Sequence, residues 1–270
     1  EQYDRAEIKK SIIQNNIYGV DIEKGAVDIA RLRFWLSIVV DEETPSPLPN
    51  LDYKIMQGNS LIESFMGMDL SKLTYEKEHK EDKGEISLFD DEKNRLQKTV
   101  SHLLSSYYSC SDHDRKVTLQ QEISDTINKQ LEAQAYNPSI LAKLKEINLA
   151  ENNKFFLWHT WFSDVFSRDD KEGFDIVIGN PPYIGEKGHK EIFQPVKADI
   201  HLGQYYLGKM DYFYFFFHLA FNMLSPNGVT TFITTNYYPT ALGARRLRAD
   251  IKDRMNIRTL FRRVLSIKFI

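Results

Sequence analysis

The run Ile176-Val177-Ile178, closed by Gly179 and the pair Pro181-Pro182, constrains the fold of this chain more than any other stretch. An unbroken apolar run suits a strand buried on both faces of a parallel sheet better than an alternating surface strand. Proline fixes φ, removes an N–H and restricts the residue before it. Asn180-Pro181-Pro182 is therefore expected to be a stiff extended corner at the strand's C-terminal end, and ligands of open α/β sheets bind at that end. There the Asn180 amide oxygen and the Pro181 carbonyl are acceptors on a rigid frame, matched to the two protons of an exocyclic amino group. Tyr183 offers a face for a planar ring. The plainer reading of the same residues is a proline-terminated strand with a tyrosine filling a gap.

Two further strand signals lie upstream. Ile17-Tyr18-Gly19-Val20-Asp21-Ile22 precedes a helix-like stretch from Glu23 to Val40. A short apolar strand ending in a carboxylate is the arrangement in which aspartate accepts from both hydroxyls of a ribose, although aspartate there also caps the helix that follows. Tyr53-Lys54-Ile55-Met56 leads into Gln57-Gly58-Asn59-Ser60, where Asn59 either meets an adenine edge or closes an ordinary turn. Strands at 17–21, 53–57, 174–179 and 229–235 are expected in one mainly parallel α/β sheet.

The stretch between the second and third strands is too long for a structureless loop in a compact domain. Leu119, Ile123, Ile127 and Leu131 recur every four residues, and Leu96, Val100, Leu103 and Tyr107 keep a similar stripe. Ile140, Leu141, Leu144 and Ile147 suggest a third helix, so a packed helical insertion over 92–149 is expected, with no chemistry of its own. Glu76 to Lys93 is mostly charged and reads as surface. After the proline corner, Ile184 to Gly208 is rich in Gly, Lys and His, a composition suited to closing over a substrate or contacting DNA. Asp211 to Leu224 reads as an aromatic core helix from which at most one or two rings, such as Phe213, touch a cofactor. Ser225-Pro226-Asn227-Gly228 then makes a turn into a strand from Val229 to Thr234.

Composition narrows the classes. Hydrophobic content of 42% with 13% aromatics excludes wholesale disorder, and 270 residues suffice for one large core with an insertion. The single Cys110 excludes an internal disulfide framework and a cysteine metal cluster, and makes reducing cytoplasm the natural compartment. His189, His201 and His218 have no ligand spacing, so no metal is expected. Tyr212 to Leu224 is too short to span a bilayer and contains His218 and Asn222, so no membrane is expected either. Charge is uneven: nine Lys/Arg against two Asp between Ala244 and Lys268 give +7 in a chain of net −3, leaving −10 elsewhere. That suits a basic rim for phosphates, or a solvated helix face.

Taken in order, seven stretches resemble the adenine-N6 DNA methyltransferases of the Asn-Pro-Pro-Tyr class. They are Tyr18 to Ile22, Arg31-Leu32-Arg33-Phe34-Trp35-Leu36, Gly58-Asn59-Ser60-Leu61, Trp158 to Phe166, Gly173 to Tyr183, Asp211 to Tyr214 and Leu224 to Gly228. The likeness is greatest to the methyltransferase part of the large bacterial type IIG restriction-modification enzymes, and it covers residues 17 to about 250. It implies a Rossmann-like class I S-adenosylmethionine-dependent methyltransferase fold, incomplete here, with a long helical insertion. The corresponding division is 1–65 for the cofactor side, 66–154 for the insertion and 155–270 for the part bearing the Asn-Pro-Pro-Tyr loop.

The resemblance further implies S-adenosylmethionine as cofactor, held by Asp21, Ile22, Asn59, Ser60 and Pro182. Asn180, Pro181 and Tyr183 are the implied catalytic residues and double-stranded DNA the implied partner. Transfer of the methyl is direct, onto an adenine flipped out of the duplex and stacked on Tyr183. The family carries a glycine-rich cofactor loop before the aspartate strand, whereas no glycine precedes Gly19, and a target-recognition domain has no counterpart before Ile270. An internal fragment of a larger enzyme, inactive by itself, is the expectation. Methylation of RNA guanine or of protein glutamine uses similar loops, and a non-catalytic DNA-binding module is the alternative of a different class. The long insertion and Arg31 to Leu36 favour the DNA branch.

Overall fold

The computed structural model describes residues 4–42, 46–71, 88–133, 137–168 and 171–260, with 88–94 described by backbone alone. The chain forms two compact units, Glu1–Ser167 and Arg168–Ile270.

In the first unit a short parallel pair organises the packing. β1 (Gly19–Asp21) runs beside β2 (Ile55–Gln57), with Gly19 opposite Ile55, Val20 opposite Met56 and Asp21 opposite Gln57. Parallel pairing requires a crossover, and α2 (Lys24–Val39) supplies it. It packs with α1 (Arg5–Asn16), whose first turn is capped by the Asp4 side chain at Ala6 N and Glu7 N. Ile13, Val27, Ile38, Leu51 and Ile55 form the core, with Phe34 and Trp35 against it. Arg31 pins α2 to the strand, its guanidinium donating to the Ile55 carbonyl at 2.9 Å and pairing with Asp52 at 3.2 Å. Trp35 donates to the Pro49 carbonyl at 3.0 Å. The motif from Arg31 to Leu36 is thus scaffold at these two positions.

β3 (Ser64–Phe65) and β4 (Met68–Asp69) make an antiparallel hairpin. Three helices follow: α3 (Leu88–Ser109), α4 (His113–Ala133) and α5 (Pro138–Lys145). Leu119, Ile123, Ile127 and Leu131 are buried, as are Leu96, Val100 and Tyr107. Leu104 takes the fully buried place expected of Leu103, because the stripe of α3 steps four, four and three residues. Most of the charged stretch from Glu76 to Lys93 lies outside the described residues. α6 (Trp158–Trp161) and α7 (Ser163–Phe166) close the unit.

The second unit holds β5 (Phe174–Gly179) parallel to β6 (Leu224–Phe232). Ser225 to Gly228 does turn, but inside β6. Phe174 faces Leu224 while Ile176 faces Val229, and Asn227 in the bulge adopts φ 64°. Between the strands lie α8 (Lys190–Ala198) and α9 (Phe213–Met223), and α10 (Arg245–Arg254) follows β6. Phe213, Tyr214, Phe215, His218 and Phe221 of α9 are buried. His218 Nδ1 meets Asp250 Oδ2 at 2.6 Å, tying α9 to α10, and Tyr205 stacks on the imidazole at 3.7 Å.

Two expectations change here. Among the described residues the strands form separate two-stranded sheets rather than one continuous sheet. Nor is β5 buried on both faces: Ile176 and Ile178 are 67% and 73% exposed, and α9 packs where the other face lies. An unbroken apolar run marks the strand, but it does not say which neighbours cover its faces.

Gly173, just before β5, has φ 102°, and a Cβ there would meet Ser225 N at 2.7 Å and the Met223 carbonyl oxygen at 2.8 Å. Gly173→Ala is therefore expected to destabilise the unit by about 1–3 kcal/mol, read as a lowered melting temperature. An unchanged melting temperature would show that the backbone at the foot of β5 yields.

Candidate active site

Because β1 and β2 are parallel and in register, the loops Asp21-Ile22 and Gly58-Asn59-Ser60 emerge at the same end of the pair. Gly58 N–H donates to the Asp21 carbonyl at 2.9 Å, and Gln57 Nε2 donates to the Ile22 carbonyl at 3.0 Å. Asp21 is exposed; its Oδ1 accepts from Glu23 N at 2.9 Å, while Oδ2 takes no hydrogen bond from any described residue. The helix-capping and ligand-accepting readings of this aspartate are thus compatible, one oxygen serving each. Asn59 Oδ1 accepts from Leu61 N at 3.2 Å, which shapes the turn and leaves Nδ2 without a partner among the described residues.

The loop is backed by aromatic packing that the sequence did not assign to it. A Cβ on Gly58 would lie 2.5 Å from the Phe156 ring, so only glycine lets the loop sit on that ring. Trp158 Nε1 donates to the Ser60 carbonyl at 2.9 Å. Glu63, buried beneath, accepts from His159 N at 3.1 Å and lies 2.9 Å from His159 Nδ1. The order of the stretch Trp158 to Phe166 was the only sequence signal, and nothing in its spacing named the loop it supports.

Lys54 is a second residue missed. Only 3% exposed, it donates to Tyr18 Oη at 2.8 Å, pairs with Asp164 at 3.2 Å and lies over the rings of Tyr18 and Tyr108 at 4.0 and 4.8 Å. Burial lowers its pKa against the opposing pull of Asp164. It fastens the flanks of β1 and β2 to α3. A cavity of about 390 Å³ nearby is lined by Lys24, Asp28, Arg31, Gln57, Ser124 and Glu151. Its cations are already committed, Lys24 to Glu151 and Arg31 to Asp52.

In the second unit the ladder ends where the proline corner begins. Gly179 faces Phe232, and Ile233 N donates to the Gly179 carbonyl at 3.2 Å. Below, Asp175 is held by Lys171 and Arg168, whose hydrogen bonds lower its pKa to about 2. Asn180 and Pro182 are exposed and Pro181 is buried; the Pro181 carbonyl accepts from no described residue. Tyr183 is 48% exposed, with Phe213 edge-on to its ring at 6.1 Å and 85°. Phe213 itself is fully buried, so it props Tyr183 and presents no surface to a cofactor.

The Tyr183 hydroxyl lies 2.8 Å from Asn180 Oδ1 and 2.7 Å from the Ile233 carbonyl oxygen. A single hydroxyl hydrogen serves one of these acceptors at a time. When it goes to Ile233, Asn180 Oδ1 is left free and the ring stays anchored to the end of β6.

Of the six described basic residues in the stretch expected to form a basic rim between Ala244 and Lys268, three are bonded within the fold. Arg246 donates to the Tyr206 carbonyl at 2.8 Å, Arg248 to those of Tyr238 and Ala241 at 3.0 and 2.6 Å, and Arg254 to Asn222 Oδ1 at 3.0 Å. Arg262, Arg263 and Lys268 lie outside the described residues. Among the described residues no cluster of His, Cys, Asp or Glu is arranged to hold a metal, and no helix is long and apolar enough to cross a membrane.

One parallel pair ends in an open carboxylate and an asparagine turn, the other in a rigid corner of acceptors beside a half-exposed tyrosine. Such an arrangement defines an α/β protein whose polar sites stand at strand C-termini. The Eco57I restriction-modification methylase family matches residues 15–263, and the chain belongs to that family. It is also 25% identical over 307 residues to a protein of Methanocaldococcus jannaschii that carries the name of a type II restriction enzyme and methyltransferase. The match takes in 96% of this chain and 25% of that relative, so the chain spans about a quarter of the relative's length.

Proposed function

We propose that this chain is the methyl-transferring part of a restriction-modification protein, moving a methyl group from S-adenosylmethionine to the N6 amine of an adenine flipped from double-stranded DNA. The observation that carries the reading is the corner Asn180-Pro181-Pro182-Tyr183 at the C-terminal end of a parallel strand, in a member of a restriction-modification methylase family. The cofactor fits the residues present, because the free Oδ2 of Asp21 suits a ribose diol and the unpartnered amide of Asn59 suits an adenine edge. Ile22 and Ser60 complete that assignment, and Pro182 is assigned to the methyl end. When bound, the cofactor supplies a methyl group already activated on a sulfonium.

The amine lone pair of adenine is delocalised into the ring, so the protein's task is to make the nitrogen more nucleophilic as charge develops. Asn180 Oδ1 and the Pro181 carbonyl accept its two N–H bonds and favour a tetrahedral nitrogen, a stabilisation specific to the transition state. Tyr183 supplies the stacking face, commonly worth about 1–3 kcal/mol per base. Tyr183→Phe keeps that face and loses the anchor to Ile233. It is expected to retain turnover within about tenfold, the worth of roughly one hydrogen bond, whereas Tyr183→Ala should lose retention of the flipped base. Fluorescence of a duplex carrying 2-aminopurine at the target reads both, and equal loss in the two variants would deny the ring its stacking role.

Incubating the full-length protein with methyl-labelled cofactor and DNA, RNA or protein, followed by digestion, tests the reading. N6-methyladenine in DNA is expected. Label confined to RNA guanine or to glutamine would replace it with the related amino-methylation reactions, and cofactor binding without any methylated product would favour a binding module.

A further inference from the structure

Between Tyr183 and Tyr212 the chain makes an excursion that leaves and returns through one neck. Glu186 N donates to the Met210 carbonyl at 2.9 Å, Tyr212 N donates to the Ile184 carbonyl at 2.8 Å, and Gly185 bridges antiparallel to Asp211. The neck lies just beyond the proline corner, and beside it the Lys209 backbone hydrogen-bonds the Glu186 side chain. Lys190 is close enough to act electrostatically on Glu186.

By sequence, residues 184–212 are neutral in Asp, Glu, Lys and Arg, with Lys187, Lys190, Lys197 and Lys209 against Glu186, Glu191, Asp199 and Asp211. Folding separates the signs. Glu186, Asp199 and Asp211 are 8%, 4% and 9% exposed. Each is committed inward: Glu186 to the Tyr206 hydroxyl and Met210 N, Asp199 to the N–H groups of His201 and Leu202, and Asp211 to the Tyr214 hydroxyl. Burial alone would raise the Glu186 pKa, but hydrogen bonds from Tyr206 and from the backbone of Lys209 and Met210 bring it below the usual carboxylate value. Its charge therefore stays inside, while all four lysines remain exposed with only Glu191 among them.

The neck also receives the start of α10. A Cβ on Gly243 would lie 2.0 Å from the Lys209 carbonyl oxygen, a closeness only glycine permits, and exposed Arg245 follows two residues later at the start of α10. Unlike Arg246, Arg248 and Arg254, Arg245 has no hydrogen-bonded or ion-paired partner among the described residues.

We propose that Lys187, Lys190, Lys209 and Arg245 form a contact surface for the phosphodiester backbone of duplex DNA, flanking the Asn-Pro-Pro-Tyr corner. The inference rests on the methylation reading above and adds to it the surface that holds the substrate strand next to the reacting base. Solvated ammonium groups of this kind neutralise phosphates without reading sequence, so their contribution is positional and salt-dependent.

The test is the triple variant Lys187→Gln, Lys190→Gln, Lys209→Gln in the full-length protein, with duplex binding followed from low to moderate salt. Each lost phosphate contact lowers the slope of log affinity against log salt by about 0.9, so a fall of roughly 2–3 is expected. The loss should be equal for cognate and unrelated duplexes, with cofactor affinity and turnover at saturating DNA within a few fold of the parent. The control Lys98→Gln with Lys143→Gln, on exposed faces of α3 and α5, should leave the slope unchanged. A parental slope in the triple variant while DNA is still methylated overturns the surface and spares the methylation reading. If the unmodified protein neither binds nor methylates duplex DNA, that reading falls and the surface with it.

Discussion

Replacing Asn180 by alanine is expected to lower the rate of methyl transfer by about 10²–10³-fold, the scale seen when one preorganised polar group facing developing charge is removed. Cofactor affinity should stay within a few fold, because the acceptor acts on the target amine and not on the donor. The geometry makes the expectation sharp: Asn180 follows Gly179, the last residue of β5, and its Oδ1 lies 2.8 Å from the Tyr183 hydroxyl. Removing it cuts both the acceptor and one of the two partners of that hydroxyl. Tyr183 keeps the Ile233 carbonyl at 2.7 Å, so the ring should stay in place and base stacking should survive. Single-turnover methylation with parallel cofactor titration decides the matter. An Asn180→Ala protein that methylates adenine at the parental rate would sink the mechanism.

The second large effect belongs to the other unit. Asp21→Ala should weaken S-adenosylmethionine binding by roughly 10²-fold or more, since two hydrogen bonds to a charged acceptor, each worth about 1.5–3 kcal/mol, are lost together. Asp21 Oδ1 also receives Glu23 N at 2.9 Å, so the alanine variant conflates ligand binding with a local cap. Asp21→Asn separates the two: it retains an oxygen for Glu23 N and loses the charge. Its melting temperature should match the parent while the cofactor Kd rises about tenfold. Isothermal titration with thermal unfolding measures both quantities. Parental affinity in Asp21→Asn would assign the carboxylate to capping alone.

The local elements were legible because their signals are local. An unbroken apolar run closed by glycine and proline placed β5 at Phe174–Gly179 and the four-residue stripe placed α4, since both signals are written in the chain itself. Parallel pairing of the expected strands followed from the same pattern, because each strand is separated from its partner by a helix long enough to cross over. The single continuous sheet did not follow, and neither did the burial of Ile176 and Ile178, because coverage of a strand depends on which neighbours arrive from elsewhere. Leu104 in place of Leu103 is the same lesson at the scale of one residue, a stripe whose step changes from four to three.

By itself the sequence determined that Asn180 to Tyr183 end a strand stiffly, that Asp21 and Asn59 stand at strand ends, and that helices lie between the Asn59 loop and the Phe174 strand. Proline geometry and hydrophobic period act over a few residues and need no partner. Tertiary structure alone decided that the Tyr183 hydroxyl is shared between Asn180 and Ile233, fifty residues downstream, and that Lys54 is caged by Tyr18, Tyr108 and Asp164. It also decided that Arg246 and Arg248 of α10 are spent on backbone carbonyls, while a neutral stretch after the corner presents its four lysines outward and turns three of its four carboxylates in. Net charge is a sum over sequence, but the field at a surface depends on which members of each sign are buried and hydrogen-bonded, and only packing makes that choice.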